Sequence, residues 1–287
     1  MLFRLTLIYI LCVVCSAARA EHFKLGIPSD DLDYFGPQIA VIKIALEHAR
    51  GDHTLEKVVF DTPTLRAIRD LETGATDFDM FIAGYDPDKE KRFRQLYVPL
   101  TRGLLGMRVF AIKRENQPLF TGLDTLRQLS GKISVTSANA WTDTRILQAA
   151  GFKVHTAETE NLWSMLANNR VEAFPRAVHE IATEIQFARD QFSDHDLVPE
   201  QSLLLVYPFD YFLYLRKADT RRQIILQTGF TNAYRSGALD RHFQSLLDRL
   251  ENTDQLGLKS RKVIELPVAD LSLAMKKIPE HYWLKLD

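Results

Sequence analysis

The sequence predicts a two-lobed α/β protein, each lobe a sheet flanked by helices, with a cleft between the lobes. Three observations carry this. Short apolar runs alternate with segments of helical periodicity, the rhythm of a parallel sheet covered by helices. The rhythm runs to about residue 84 and restarts near residue 104. A last strand and two helices then form a helical tail.

Each element has a local reason. Residues 23–27 are a short buried strand, and 28–34 a polar loop. Ile39, Val41, Ile42, Ala45, Leu46 and Ala49 recur at helical spacing, and Gly51 ends that helix. Residues 55–60 are a second strand. Thr62-Pro63 opens a helix with apolar side Leu65, Ile68 and Leu71, stopped by Gly74. Residues 80–83 complete the first unit as a strand. The second unit begins with a long apolar strand over 104–113. A helix at 123–129, a strand at 132–136, a helix at 141–150 and a strand at 153–156 follow. A helix at 161–169, a strand at 171–174 and a helix at 178–189 complete it. The tail holds a strand at 211–216, helices at 220–236 and 239–250, a strand at 262–266 and an aromatic end, Tyr282-Trp283.

Ahead of these elements stands the pattern of a cleavable export signal. Arg4 precedes an apolar run over 5–14, and Ala18 and Ala20 form a small-residue cleavage pair before Glu21. The run is shorter than the roughly 20 apolar residues of a membrane-spanning helix. Residues 1–20 are therefore expected to be removed, leaving a soluble periplasmic chain that does not insert into the membrane. Both cysteines, Cys12 and Cys15, lie in that leader, so the mature chain is expected to lack disulfides and thiolate chemistry. With 36 Lys and Arg against 37 Asp and Glu, composition gives no case for nucleic acid or an anionic membrane as partner.

Enzyme and metal signatures are missing. The eight histidines are scattered, with no His-Glu-x-x-His, so no metal is expected. There is no Gly-x-Ser-x-Gly, Walker A or Gly-x-Gly-x-x-Gly motif, and no cofactor or catalytic residue is assigned. In open parallel sheets, ligands sit outside the carboxyl ends of strands. That rule points to the loops 28–34, 84–92 and 137–141. They offer Ser29 and Tyr34; Tyr85, Lys89 and Arg92; and Ser137, Asn139 and Trp141. Ser137 or Asn139 is placed to cap a helix, making a pocket that favours anions. Trp141 offers a face to a planar ligand or to its own helix. Tyr34 and Tyr85 are an opposing wall or ordinary rim aromatics.

Several stretches, in this order and spacing, resemble the periplasmic solute-binding proteins of family 3, the amino-acid-binding type. They are Phe23-Lys24-Leu25-Gly26-Ile27, Leu71-Glu72-Thr73-Gly74-Ala75-Thr76-Asp77 and Gly131-Lys132-Ile133-Ser134-Val135. Asn169-Arg170-Val171-Glu172-Ala173 and Tyr211-Phe212-Leu213-Tyr214-Leu215-Arg216-Lys217 complete the set. Arg102-Gly103-Leu104-Leu105-Gly106-Met107-Arg108 and Phe174-Pro175-Arg176 look closest to an uncharacterised exported subgroup. The resemblance implies a type II periplasmic binding protein fold. Its first lobe would be 21–114 plus 209–287, and its second lobe the insert 115–208.

It also implies a carboxylate clamp after the third strand, where the family uses an arginine for its two parallel donors. Counting back through a gapless strand gives Arg92, and matching Pro87-Asp88-Lys89 gives Lys89. The family's acidic partner for a ligand ammonium falls at Ala177, beside Arg176, and this departure puts an ordinary α-amino acid in doubt. Arg176 would serve an anion in the cleft or pair with Glu172 or Glu180. The implied protein is a monomer with no enzymatic activity. It closes on a small anionic solute and presents it to a membrane transporter or sensor. The alternatives are a degenerate cleft acting as a sensor or scaffold subunit, and a periplasmic enzyme resembling cyclohexadienyl dehydratase.

Overall fold

The computed structural model describes residues 20–29, 35–139, 141–252 and 256–284. The expected leader, apart from Ala20, and Tyr34 lie outside the described residues.

The chain first builds β1 (His22–Pro28), α1 (Gly36–Glu47), β2 (Thr54–Phe60), α2 (Thr64–Thr73), β3 (Met80–Gly84), α3 (Pro87–Arg92) and β4 (Arg94–Leu96). It then makes β5 (Met107–Lys113), α4 (Leu126–Lys132), β6 (Ser134–Ala138), α5 (Thr142–Ala149) and β7 (Lys153–Ala157). Next come α6 (Leu162–Ala167), β8 (Phe174–Ala177), α7 (Ile181–Gln191), β9 (Leu197–Pro199) and β10 (Leu203–Val206). It closes with β11 (Tyr211–Leu215), α8 (Thr220–Arg235), α9 (Ala238–Asn252), β12 (Lys262–Glu265) and α10 (Leu273–Lys276).

One sheet has the order β2-β1-β3-β11-β4, with β1 parallel to β2 and β3, and β11 antiparallel to its neighbours. Its β1 side chains Phe23, Leu25 and Ile27 are fully buried, as period-2 alternation requires. The buried stripe of α1 includes Ile39, Val41, Ile42, Ala45 and Leu46, the helical spacing legible in the sequence. Gly74 ends α2 in the left-handed conformation at φ +78°, its N–H bonding back to the last turn.

The other sheet has the order β12-β10-β5-β8, with β9 also on β5. A parallel pair, β6 and β7, joins it through a bridge between Val135 and Ala173. Six of the seven β5 residues are buried, so this strand needs cover on both faces and sits inside the sheet. Residues 107–113 and 262–265, both within the segments expected for the first lobe, are therefore hydrogen-bonded into the second sheet. Three smaller expectations also shift. Residues 104–106 form a 3-10 turn, so β5 starts at Met107. The strand expected at 171–174 lies at 174–177, after a turn in which Asn169 has φ +55°. The helix expected from 123 starts at Leu126, because Thr125 and Gln128 form a reciprocal capping box.

Two crossovers, 97–106 and 207–210, join the sheets and lie against one another. The Tyr207 N–H donates to the Gly106 carbonyl at 3.0 Å. A side chain at Gly106 would place its Cβ 2.1 Å from the Tyr207 carbonyl oxygen, so the contact requires glycine. Among the described residues, no helix is long and apolar enough to cross a membrane.

Candidate functional site

The seam between the lobes is built from the start of α3 on one side and the start of α5 on the other. After β3, Asp86 caps α3: its carboxylate accepts from the N–H groups of Asp88 at 2.8 Å and Lys89 at 3.3 Å. Pro87 stands at the first helical position, where its missing N–H costs nothing. The same carboxylate reaches the other lobe. It accepts from Thr142 Oγ1 at 3.3 Å and forms an ion pair with Arg145. Lys89 Nζ lies 3.9 Å from Asp86. One carboxylate thus serves two cations, and among the described residues Lys89 makes only this long pair.

The electrostatics follow from that count. Burial pushes the Lys89 pKa down, and the positive charges of Arg145 and Arg92 add to it, against the pull of Asp86. For Asp86, burial opposes ionisation, but Lys89, the Asp88 N–H and Arg145 outweigh it and hold the carboxyl below its ordinary value. A second carboxylate brought to this seam would find two cations and remove the strain on Lys89.

Arg92, the other candidate clamp, is committed elsewhere. It makes a two-pronged pair with Glu72, the closest approach being 2.6 Å, on the exposed face of the first lobe. Pairs this exposed contribute about 1 kcal/mol or less. Arg92→Ala is therefore expected to leave the melting temperature within about 3 °C of the parent by scanning calorimetry.

The remaining candidates divide as follows. Ser29 is exposed at the end of β1. Tyr85 is 2% exposed and faces the C-terminal segment, not the seam. Its hydroxyl lies 3.1 Å from Glu90 and 3.2 Å from the Asp270 carbonyl, which share its one proton. Ser137 is buried and accepts from Thr144 Oγ1 at 2.8 Å instead of capping α5. Asn139 donates to Glu158 at 2.9 Å on the surface, and α5 has no side-chain cap.

Trp141 and Arg176 do meet, but inside the second lobe. The Trp141 ring stacks on Phe174 at 6.4 Å, and the Arg176 guanidinium lies 4.9 Å from each ring. Arg176 is 4% exposed. It pairs with Glu184 at 2.5 Å and Glu180 at 3.3 Å. Glu172, its other candidate partner, accepts instead from the Ser134 N–H at 2.7 Å. Arg176 is thus matched by two carboxylates without any ligand. Burial favours this, because an unmatched guanidinium at this depth would cost several kcal/mol.

Sequence reasoning missed the polar centre behind the seam. Arg108 on β5 is 2% exposed and pairs with Asp143 of α5 at 2.5 Å. Its Nε donates to the Tyr207 hydroxyl at 3.0 Å, which in turn donates to Asp143 at 2.7 Å. Glu180 lies 4.0 Å from Arg108 and 3.4 Å from His179. Burial pushes the His179 pKa down, and the two arginines reinforce it against Glu180. The signal for this centre was a lone arginine inside an otherwise apolar strand, Met107-Arg108-Val109-Phe110. Among the described residues, no group of three or more His, Cys, Asp or Glu is placed to hold a metal ion.

Fold and seam together define the class: this is the type II periplasmic binding protein fold, two α/β lobes joined by crossovers and meeting at a cleft. No family model and no curated protein matches the sequence, and the solved structures similar to it show the fold. An ancestral arginine-binding protein bound to arginine is 15% identical, matches 78% of this chain and 97% of its own, and has a TM-score of 0.54. The GluR0 ligand-binding core in complex with L-glutamate is 16% identical, matches 79% and 98%, and has a TM-score of 0.55. A histidine kinase sensor domain with similarity to periplasmic binding proteins is 15% identical, matches 81% and 96%, and has a TM-score of 0.54.

Proposed function

We propose that this is an exported solute-binding protein of the amino-acid-binding type, whose lobes close on a small carboxylate-bearing solute at the seam between α3 and α5. Lys89 is the clamp. The observation that carries this reading is the shared carboxylate: Asp86 answers both Lys89 and Arg145, which leaves one positive charge for a ligand. Arg145 joins from the second lobe, so the ligand would touch both lobes when they close. Two of the structures with this fold hold arginine or L-glutamate, each an amino acid with an α-carboxylate, and that supports the ligand class.

The two lobes, one built on the β2-β1-β3-β11-β4 sheet and the other on the β12-β10-β5-β8 sheet, would move as units about the crossovers. After removal of residues 1–20 the protein would act in the periplasm as a monomer, delivering its solute to a membrane transporter or sensor. On this reading the protein binds its solute without transforming it.

The test is a thermal-shift screen of the chain from Glu21 against amino acids, dicarboxylates, aromatic acids, phosphorylated compounds and peptides. A ligand at 100 times its dissociation constant adds about 2.7 kcal/mol, a rise of roughly 5–10 °C. Carboxylates are expected to give the rise. Lys89→Ala is expected to abolish it and Arg92→Ala to leave it in place. A flat response from protein shown by mass spectrometry to carry no copurified compound would overturn the reading.

One observation favours the protein-binding sensor or scaffold as a second reading. Thr142 and Arg145 already close over Asp86, and Arg176 is already neutralised. On that reading the flat response is the expected one.

A further inference from the structure

We propose that the C-terminal segment, 256–284, is a third connection between the lobes, which restrains opening and holds α3 in position over the seam. The proposal rests on the two-lobed fold and not on the identity of any ligand.

The segment is anchored first in the second sheet. β12 pairs in parallel with β10 over Leu203–Val206. The pairing extends at both ends, from the Lys262 N–H to the Ser202 carbonyl at 2.8 Å and from the Leu266 N–H to the Val206 carbonyl at 2.9 Å. Arg261, just ahead of the strand, is buried. It donates to the Leu203 carbonyl at 3.0 Å and lies 3.5 Å from the fully buried Glu200.

A few residues later the same segment is anchored in the first lobe. Ser272 Oγ donates to Glu90 at 2.6 Å, and the Ser272 N–H donates to the Tyr85 hydroxyl at 3.2 Å. Glu90 also accepts from Tyr85 at 3.1 Å and from Tyr97 at 2.7 Å. It therefore gathers three hydroxyl donors, one of them from the tail. Met275 is buried, and its Sδ accepts from Gln95 Nε2 at 3.3 Å. The end of the segment then lies on the first crossover. The Leu284 N–H donates to the Arg102 carbonyl at 2.7 Å, and the Arg102 guanidinium donates to the His281 carbonyl at 2.8 Å.

The mechanical consequence follows from these anchors. A rotation that opens the cleft about the crossovers carries β12 with β10, while Ser272 and Met275 stay with the first lobe. The short link between Leu266 and Ser272 must then stretch, or Ser272 must leave Glu90. Glu90 neighbours Lys89 on α3, so the same contact fixes where Asp86 and Lys89 stand. Tyr85, Tyr97 and Ser272 are thus positioning residues.

The test uses no ligand, so its result is independent of the binding reading. The chain from Glu21 has no cysteine, which allows paired spin labels at Lys91→Cys on α3 and Gln148→Cys on α5, both exposed. Double electron–electron resonance then reads the distance across the seam. Tyr85→Phe with Ser272→Ala removes two of the three hydroxyls from Glu90, the tail's among them, and leaves Tyr97 and the apolar packing. The expected result is a shift to longer distances, with the open-to-closed ratio rising on the order of fivefold. Glu90→Gln attacks the same cluster from the other side and is expected to shift the distribution in the same direction. A folded variant of either kind with the parent's distance distribution would overturn the proposal. A variant that only loses thermal stability, with no change in distance, would also overturn it.

Discussion

Arg108→Ala is expected to cost about 3–5 kcal/mol of stability, a drop in melting temperature of roughly 6–20 °C. Arg108 is buried between Asp143 at the start of α5 and Tyr207 on the second crossover, with Glu180 close by. Removing it leaves at least one carboxylate charged and unmatched in a site closed to water. The cost comes from that orphaned charge and not from the lost attraction, because a buried pair roughly balances its own desolvation. The paired change Arg108→Met with Asp143→Leu is therefore expected to recover a large part of the loss. Urea denaturation of the single and paired variants measures both. A loss under about 1 kcal/mol for Arg108→Ala would show that water reaches the site and screens it.

Asp210 is the second sensitive position. It is fully buried on the second crossover and binds the first. Its carboxylate accepts from the Thr101 N–H at 3.0 Å, the Thr101 hydroxyl at 2.9 Å and the Gly103 N–H. These donors hold a turn in which Arg102 and Gly103 both have positive φ, +54° and +89°. Asp210→Ala is expected to cost roughly 3 kcal/mol, since several buried donors lose their acceptor at once.

Burial lifts the Asp210 pKa from an ordinary 3.8 to about 7, against the opposing donors of Gly103 and Thr101. The folded state thus holds its proton to higher pH than the unfolded chain. The stability this gives is complete below about pH 4 and is lost as pH rises through 7. Between about pH 4 and 7, Asp210 is expected to lower stability by up to about 1.4 kcal/mol per pH unit, and above 7 its contribution is flat. Asp210→Asn, which cannot ionise, is expected to remove that part of the slope. Denaturation midpoints for the two proteins from about pH 4 to 8 make the comparison, and parallel curves below pH 7 would show that Asp210 does not titrate there.

The candidate site was legible in part. The loop 84–92, with its cations, could be marked from sequence, because ligands in open α/β sheets sit outside the carboxyl ends of strands. The choice between Lys89 and Arg92 was not legible. Our proposal of Lys89 rests on Glu72, twenty residues back in the chain from Arg92, whose carboxylate reaches Arg92 only once α2 and α3 have packed. Arg176 raised the same difficulty. Its partners include Glu184, two turns along the chain on α7, and whether that glutamate faces inward depends on how the helix packs.

By itself the sequence determined the alternation of strands and helices and the turn at Gly74. These are decided by a few neighbouring residues: apolar period and glycine's access to positive φ. The tertiary structure alone decided which sheet each strand joined and which charge answered which. Strand 107–113 reads the same in either sheet, and its place was set by pairing with β8, β9 and β10 and by packing against α6 and α7. Charge pairing depends on distances of a few ångströms between residues far apart in the chain, such as Asp86 with Arg145, or Arg108 with Asp143 and Tyr207. No local pattern encodes those distances; they exist only when the lobes are built and the crossovers bring them together.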